Sequence, residues 1–520
     1  MYMANPKLRA LAVIIIVVVV GFGLYKLTNK AGAVGDPSVV GAWSGVSQWP
    51  IKATHAHLLP DGTVMIWPSS SSEHTIYIWN PVTNVIAPGP LSGFNLFCAG
   101  HTITSDGKLF VAGGHVTRNT GIKATSVFDP AAQAWSQLPD MNNGRWYPNV
   151  TALSNGDLLV VGGTVKNNVT NTLPQIWDVS EKKWKNLTGA KLDIPSYSFM
   201  FPAPNGGAFN AGPDQGARFL DINGNGKWGK AINSAYGDRQ NGTAVMYEPG
   251  KIIIVGGVKN PKKKPTNTAE LIDLNAASPK WTKTGSMSTI RRHANGTLLP
   301  TGEVLVTGGT TGVKDDASAP VFLAESWTPS TGTWKQLASN ATYRGYHSIA
   351  LLLPDARVLI AGGELSGTSM EIYSPAYLFK GARPTIASAP AQVNYGETFS
   401  VETPDAANIA SVRLIRIGSV THSINMSQVI DTLSFTKQAN GLQVTATPLS
   451  KNGTITPGIY MLFILNDAGV PSVASMIQLG DTEFNVPAAG TFKAMAVPQA
   501  DPTMHADHEH AENDEEPGDN

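Results

Sequence analysis

The sequence predicts an all-β protein, and three observations carry the prediction. A hairpin signature returns seven times between residues 55 and 363: two short apolar β runs flank a tight turn, and the second usually closes on Gly-Gly. The turn slots Gly62, Gly107, Gly156, Gly206, Gly250, Gly302 and Ala356 are spaced 45, 49, 50, 44, 52 and 54 residues apart. Glycine is abundant, 52 of 520 residues, and only 15% of residues are charged, a balance that suits short strands and turns better than helices.

Each element of the period follows from local sequence. The first two strands are the hairpins themselves: HAHLLPDGTVMIW (55–67), HTITSDGKLFVAGG (101–114), VTALSNGDLLVVGG (150–163), FMFPAPNGGAFNAG (199–212), TAVMYEPGKIIIVGG (243–257), NGTLLPTGEVLVTGG (295–309) and IALLLPDARVLIAGG (349–363). A third strand and a tryptophan-bearing fourth follow in VFDPAAQAW, IWDVSEKKW, FLDINGNGKW, LIDLNAASPKW and SWTPSTGTW. Four strands in about fifty residues is the signature of a kelch-type β-propeller, here seven-bladed over 40–380. The seventh copy, EIYSPAYLF, lacks its tryptophan strand, and GAWSGVSQWP (41–50) supplies one; the N-terminal strand is expected to complete the last blade and remove two open sheet edges.

The flanks differ. Residues 1–30 hold an apolar run, Ala10 to Tyr25, behind Lys7 and Arg9 and before Lys26 and Lys30. This reads as an N-terminal membrane-anchor helix, with a cleaved signal peptide as the alternative, and puts the body outside the cytoplasm, periplasmic or at the cell surface. Residues 382–480 are about a hundred residues of alternating short strands, expected to form an immunoglobulin-like β-sandwich. Residues 481–520 end in HADHEHAENDEEPGDN, a disordered acidic tail by composition, whose His505, His508 and His510 either gather metal or merely keep the tail solvated. A net charge of zero gives no basic face for nucleic acid.

Nine residues before each turn slot a ring of equivalent positions appears: Ala53, Cys98, Tyr147, Tyr197, Asn241, His293 and His347. In a propeller these positions start the innermost strands and gather at one end of the channel. Cys98 is the single cysteine, which excludes an intramolecular disulfide. Each aromatic here has an ordinary reading as packing, and the cysteine one as a small buried apolar residue. What favours chemistry is the coincidence of the one thiol with phenols and imidazoles in the same slot.

Five motifs carry a closer likeness: FCAGHTITSDGKLFVAGG (97–114), GRWYPNVTALSNGDLLVVGG (144–163), YRGYHSIALLLPDARVLIAGG (343–363), VRLIRIGSVTHSIN (412–425) and GIYMLFILNDAGVPSVA (458–474). With them the chain resembles the copper radical oxidases, galactose oxidase and the glyoxal oxidases, over nearly all of 40–480. The resemblance implies one mononuclear Cu(II) held by Tyr147, Tyr346, His347 and His422, the last on a loop of the C-terminal domain that reaches up the channel. It implies a thioether between Cys98 and Tyr147 that forms a radical cofactor. Tyr346 then takes the substrate's proton, and the Tyr147 radical takes hydrogen from carbon. Imidazole and anionic oxygen suit Cu(II), and one copper needs a second one-electron store to oxidise an alcohol or aldehyde hydrate.

The implied reaction oxidises small aldehydes, or primary alcohols, with reduction of O2 to H2O2. RWYP at 145–148 resembles the glyoxal oxidases more than galactose oxidase. Galactose oxidase has a tryptophan over the thioether two residues after Gly-Gly; the slot here is Val165, so either the radical is less protected or another aromatic covers it. His293 is a candidate for the substrate pocket, and His55 and His57 line the channel or pack within it. The partners implied are an aldehyde or alcohol, O2, the membrane through residues 1–30, and a peroxide-consuming enzyme. The competing function is a non-catalytic propeller that binds partners at the cell surface.

Overall fold

The computed structural model describes residues 35–69, 75–260, 263–449 and 453–480. The expected anchor at 1–30 and the acidic tail at 481–520 lie outside the described residues. Among those described, no helix is long and apolar enough to cross a membrane. Helix there includes one turn at Pro37–Val40 and two 3-10 turns, Ala376–Phe379 and Ala406–Asn408.

Seven antiparallel sheets form the blades of the propeller. Their innermost strands are Ala53–Leu58, Gly100–Ile103, Asn149–Ala152, Met200–Pro202, Thr243–Glu248, Asn295–Leu298 and Ser348–Leu352, nearly all buried. Their apolar residues, with those of the second strands, pack face to face between neighbouring blades, so the two faces of each sheet are both interior. The turn glycines take left-handed backbone, as at Gly62 (φ 78°) and Gly302 (φ 86°), and Ala356 adopts it too (φ 65°) despite its Cβ.

The last blade closes as the sequence predicts. Ala42–Trp43 pairs with Ser374 and Tyr373, and Ser47–Gln48 pairs with Met370 and Ser369. The tryptophans explain why the fourth strand carries one. Trp135, Trp184, Trp228, Trp281 and Trp334 each donate an indole N–H to a carbonyl at the outer end of the preceding blade: Pro90, Pro139, Ala190, Ile232 and Gly285, at 2.7–3.2 Å. Trp43 makes the same bond to Ala338 at 2.8 Å, so the N-terminal strand occupies the slot that the seventh repeat leaves open.

A second repeated device sits at the site end. Arg239, Arg291 and Arg344 are buried and donate to the carbonyls of Gly256, Gly308 and Gly362, the first glycine of each Gly-Gly pair. Each also meets a buried glutamate of the blade's third strand: Glu270, Glu325 and Glu371. Burial of both charges is tolerable because each guanidinium is paired and hydrogen-bonded. Blade three keeps the arginine, Arg145, with Gly162 O at 2.6 Å, but has Gln175 in place of the carboxylate.

The C-terminal strands form one seven-stranded sheet in the order Gln392–Val393, Ser475–Leu479, Gly458–Asn466, Ile409–Arg416, Ile430–Gln438, Gly441–Thr445, Thr398–Glu402. The expected two layers are present, but Ile430–Gln438 serves both. Its first half pairs with Ile409–Arg416 and its second half with Gly441–Thr445, so the sheet curls over itself in a barrel-like form. Val412, Leu414, Leu433, Val444 and Leu462 fill the inside.

Between Ile409–Arg416 and Ile430–Gln438 the chain leaves this sheet as a small hairpin, Ser419–Thr421 and Ile424–Asn425. The hairpin adds to the inner edge of blade one, with His55 opposite Thr421, Ala56 opposite Val420 and His57 opposite Ser419. Arg416, fully buried at its base, donates to Ser427 Oγ (2.7 Å) within the excursion, to Ile103 O (2.7 Å) of blade two and to Pro457 O (3.2 Å).

Two glycine substitutions test this packing. A Cβ at Gly362 (φ 68°) would stand 1.7 Å from the Ala53 carbonyl oxygen, whereas one at Gly302 would meet nothing within 4 Å. Gly302→Ala is expected to cost only the left-handed backbone penalty, about 1–2 kcal/mol. Gly362→Ala is expected to prevent closure between blades seven and one and to yield little folded protein. Thermal melting of the two variants side by side checks the contrast.

Candidate metal centre

The ring of equivalent positions is a ring of reversed backbone. Cys98, Tyr147, Tyr197, Asn241, His293 and His347 have φ of 64°, 65°, 48°, 57°, 58° and 67°. None of these six starts an inner strand, as the repeat had implied; each lies one to three residues ahead of it, and Ala53 alone begins its strand. Left-handed backbone costs a non-glycine residue about 1–2 kcal/mol, and six such residues at one end of the channel mark a strained site. Cross-blade hydrogen bonds hold them: Tyr147 N–H to Cys98 O at 2.9 Å, Tyr197 N–H to Tyr147 O at 2.8 Å, and His293 N–H to Asn241 O at 2.8 Å.

The reversal redirects side chains. In a regular strand Tyr346 and His347 would point to opposite faces. With His347 left-handed, their rings stack on each other, with centroids 3.8 Å apart. His422 reaches the same place from the C-terminal hairpin with a left-handed backbone of its own (φ 48°). Four donor atoms meet there. Tyr147 Oη lies 2.6 Å from Tyr346 Oη, 2.8 Å from His422 Nε2 and 3.4 Å from His347 Nε2.

Both imidazoles are oriented by their other nitrogen. His347 Nδ1 bonds to Glu364 Oε2 at 2.6 Å, just after the last Gly-Gly. Thr421 Oγ1 donates to Thr54 O at 3.0 Å, so its oxygen accepts from His422 Nδ1–H at 2.5 Å. Each ring therefore gives its Nδ1 proton to that partner and turns Nε2 to the centre, the arrangement of metal-ligating histidine. Burial, then His347 and His55, push the His422 imidazole well below its ordinary range, so it is neutral. Burial holds the Tyr147 phenol well above its usual value, and Tyr346 is pushed up to about 12 for the same reason. An opposite charge at the centre would reverse that preference for the phenols.

Cys98 is fully buried, with its Sγ 3.9 Å from His115 Nδ1; burial pushes the thiol well above its ordinary range, and the Tyr147 and Trp146 side chains oppose that shift. Trp146 answers the question that Val165 raises. Its indole stacks on the Tyr147 ring at 3.7 Å and 6°, and its N–H bonds to His115 Nδ1 at 3.0 Å. His293 is also in the cluster, its ring 5.1 Å from that of Tyr346. His55 and His57 are buried beneath it in blade one: His55 Nε2 accepts the Cys98 N–H at 3.2 Å, and His57 Nδ1 meets Ser419 Oγ at 2.6 Å.

Sequence reasoning missed Trp146, Glu364, Thr421 and His115. Trp146 precedes Tyr147, and strand alternation would have sent it the other way; only the reversed backbone brings it back. Glu364 did carry a signal, a carboxylate directly after the Gly-Gly of the blade that bears His347.

The donor set fits Cu(II): two imidazole nitrogens, two phenols able to ionise, and tethered partners behind each imidazole. No group of three or more His, Cys, Asp or Glu among the described residues could hold a metal ion, so a centre here depends on its phenols.

The buried neutral histidines set a pH dependence. Burial pushes His101 and His293 down to about 3 and holds His57 well below its ordinary value. In the unfolded chain they protonate near pH 6.5. Their contribution is thus complete above that pH and is lost as pH falls from about 6.5 towards 3, because only the unfolded state binds the protons. Melting temperature of metal-free protein is expected to fall between pH 7 and 5, above the range where most carboxylates titrate, and less steeply in His101→Leu.

Comparison with known proteins agrees with the fold and the motifs. Residues 383–479 match the family model for the galactose oxidase-like early set domain, 252–374 that for the glyoxal oxidase N-terminus, and 98–142 the kelch motif. Galactose oxidase of Gibberella zeae is 29% identical over 493 residues, covering 85% of this chain and 71% of that one. An aldehyde oxidase of Arabidopsis thaliana is 29% identical over 275 residues, 44% of each chain. Among solved structures, a fungal alcohol oxidase of the AA5 family in complex with copper matches with a TM-score of 0.78 and 25% identity, over 85% of this chain and all of that one. The chain is therefore homologous to galactose oxidase and the glyoxal oxidases.

Proposed function

We propose that the protein is a copper radical oxidase that oxidises small aldehydes, as their hydrates, or primary alcohols. In balance, RCH(OH)2 + O2 gives RCOOH + H2O2, and RCH2OH + O2 gives RCHO + H2O2. One observation carries the reading: Tyr147 Oη stands within 2.6–3.4 Å of Tyr346 Oη, His422 Nε2 and His347 Nε2, donors from blades three and seven and from the C-terminal hairpin. The homologues being oxidases supports the reaction class. The extracytoplasmic location that residues 1–30 call for, and a peroxide-consuming partner, belong to the same proposal.

Tyr147, Tyr346, His347 and His422 would hold the copper. When bound, the metal supplies a one-electron couple and an open position for substrate. The chain's own residues do the rest. Tyr346 Oη, 2.6 Å from Tyr147 Oη, takes the substrate's hydroxyl proton. Glu364 and Thr421 keep His347 and His422 in the tautomer that leaves Nε2 free. Joining Cys98 Sγ to the Tyr147 ring, with loss of one hydrogen from each, makes Tyr147 electron-rich enough to store the second oxidising equivalent. His293, beside Tyr346, lines the substrate's approach.

Three measurements test this. Purified metal-free protein given copper and O2 is expected to lose two hydrogens in intact mass; a thiol that stays free after copper loading overturns the radical cofactor. His422→Ala is expected to fold normally, bind copper weakly and make no peroxide from glyoxal. A variant with wild-type copper affinity and turnover would remove His422 from the site. Glu364→Gln, which only loosens His347, is expected to weaken copper binding by about 10–100-fold.

A further inference from the structure

Tyr147 is covered on both faces. Trp146 stacks on it at 3.7 Å and 6°, and Tyr197 stacks on it at 4.4 Å and 20°. Two rings nearly parallel to a third, each centred so close to it, would overlap if they shared a side; they lie on opposite faces. The sequence places Tyr197 in the ring slot of blade four without giving it work to do. Its ring also packs 4.8 Å from that of His422, and it is 6% exposed.

Tyr197 is tightly fixed. Its N–H bonds to Tyr147 O at 2.8 Å, and its hydroxyl donates to Ala99 O at 3.0 Å. The residue next to Ala99 is Cys98, whose carbonyl accepts the Tyr147 N–H, so one segment holds both Tyr147 and the ring that covers its face. The hydroxyl points at a carbonyl, which is no base at neutral pH. A phenol gives up an electron readily only when it can also release its proton. Tyr197 therefore covers Tyr147 without competing to hold the radical, and its hydroxyl stays out of the Tyr147–Tyr346 proton contact.

We propose that Tyr197 is a positioning residue that prolongs the life of the Tyr147 radical by closing the ring face that Trp146 leaves open. The inference rests on the radical-oxidase reading above. Loss of the radical is a one-electron reduction of Tyr147 by a solution reductant, and a stacked aromatic both excludes that reductant and favours the electron-poor ring between its neighbours.

The test compares copper-loaded, oxidised wild type with Tyr197→Leu and Tyr197→Phe, following decay of the radical absorption under dilute ascorbate. Tyr197→Leu is expected to lose the radical about tenfold faster than wild type, and Tyr197→Phe, which keeps the ring, at close to the wild-type rate. A purely structural role would instead lower the melting temperature of both variants and leave decay unchanged. Equal decay in wild type and Tyr197→Leu overturns the inference. If Tyr197→Leu does not fold, Tyr197→Met supplies the ring-free comparison by the same criterion. Wild type that neither loses two hydrogens nor develops the absorption overturns the radical-oxidase reading itself, a result separate from any variant's behaviour.

Discussion

The pairing of Ser419–Thr421 with the inner strand of blade one is the contact on which the centre depends. A propeller alone brings Tyr147, Tyr346 and His347 to one end of its channel. The fourth donor comes from the C-terminal part of the chain, and a flexible loop could not hold it to a few tenths of an ångström. Strand addition solves this with backbone hydrogen bonds, which are directional and need no particular side chains. Thr421, opposite His55 in the pairing, also receives the Nδ1 proton of His422. One interaction thus fixes the position, rotation and tautomer of His422, while Arg416 secures the base of the excursion.

Strain at the slots is the complementary half of the design. Six left-handed non-glycine residues at one rim are costly, and the rim is afforded by what surrounds it: buried arginines clamped to the Gly-Gly carbonyls, indole staples between blades, and tightly packed inner strands. Reversing the backbone there lets neighbours in sequence, Trp146 with Tyr147 and Tyr346 with His347, stack instead of diverging. A rigid scaffold that over-determines its rim can hold side chains where a relaxed strand would not.

Much of this was legible in the sequence because repetition amplifies weak signals. Any single hairpin is ambiguous; seven with one spacing and a recurring tryptophan are not, and the gap after EIYSPAYLF pointed to Trp43. The slot residues were found by counting, and the ligand roles proposed for some of them rest on resemblance. Three features were hidden for physical reasons. The reversed φ has one marker among the slots, Asn241; Cys, Tyr and His occupy the other five, where glycine or asparagine would have advertised it. Addition of the Ser419–Thr421 strand to blade one is a long-range pairing with no local trace. The curl of the C-terminal sheet comes from one long strand, Ile430–Gln438, changing partners midway, which alternation of apolar residues does not reveal.

Closure of blade seven by Ala42–Trp43 has a consequence in time. As the chain leaves the ribosome, this strand must wait for Ser369–Ser374, more than three hundred residues later, before its edge is satisfied. His422 emerges later still. Blades two to six can settle one after another, but the ring and its centre are finished only when nearly the whole chain exists. A metal held by this donor set could therefore be bound only late in the life of the molecule, and an incomplete chain exposes an open sheet edge and carries only part of the donor set.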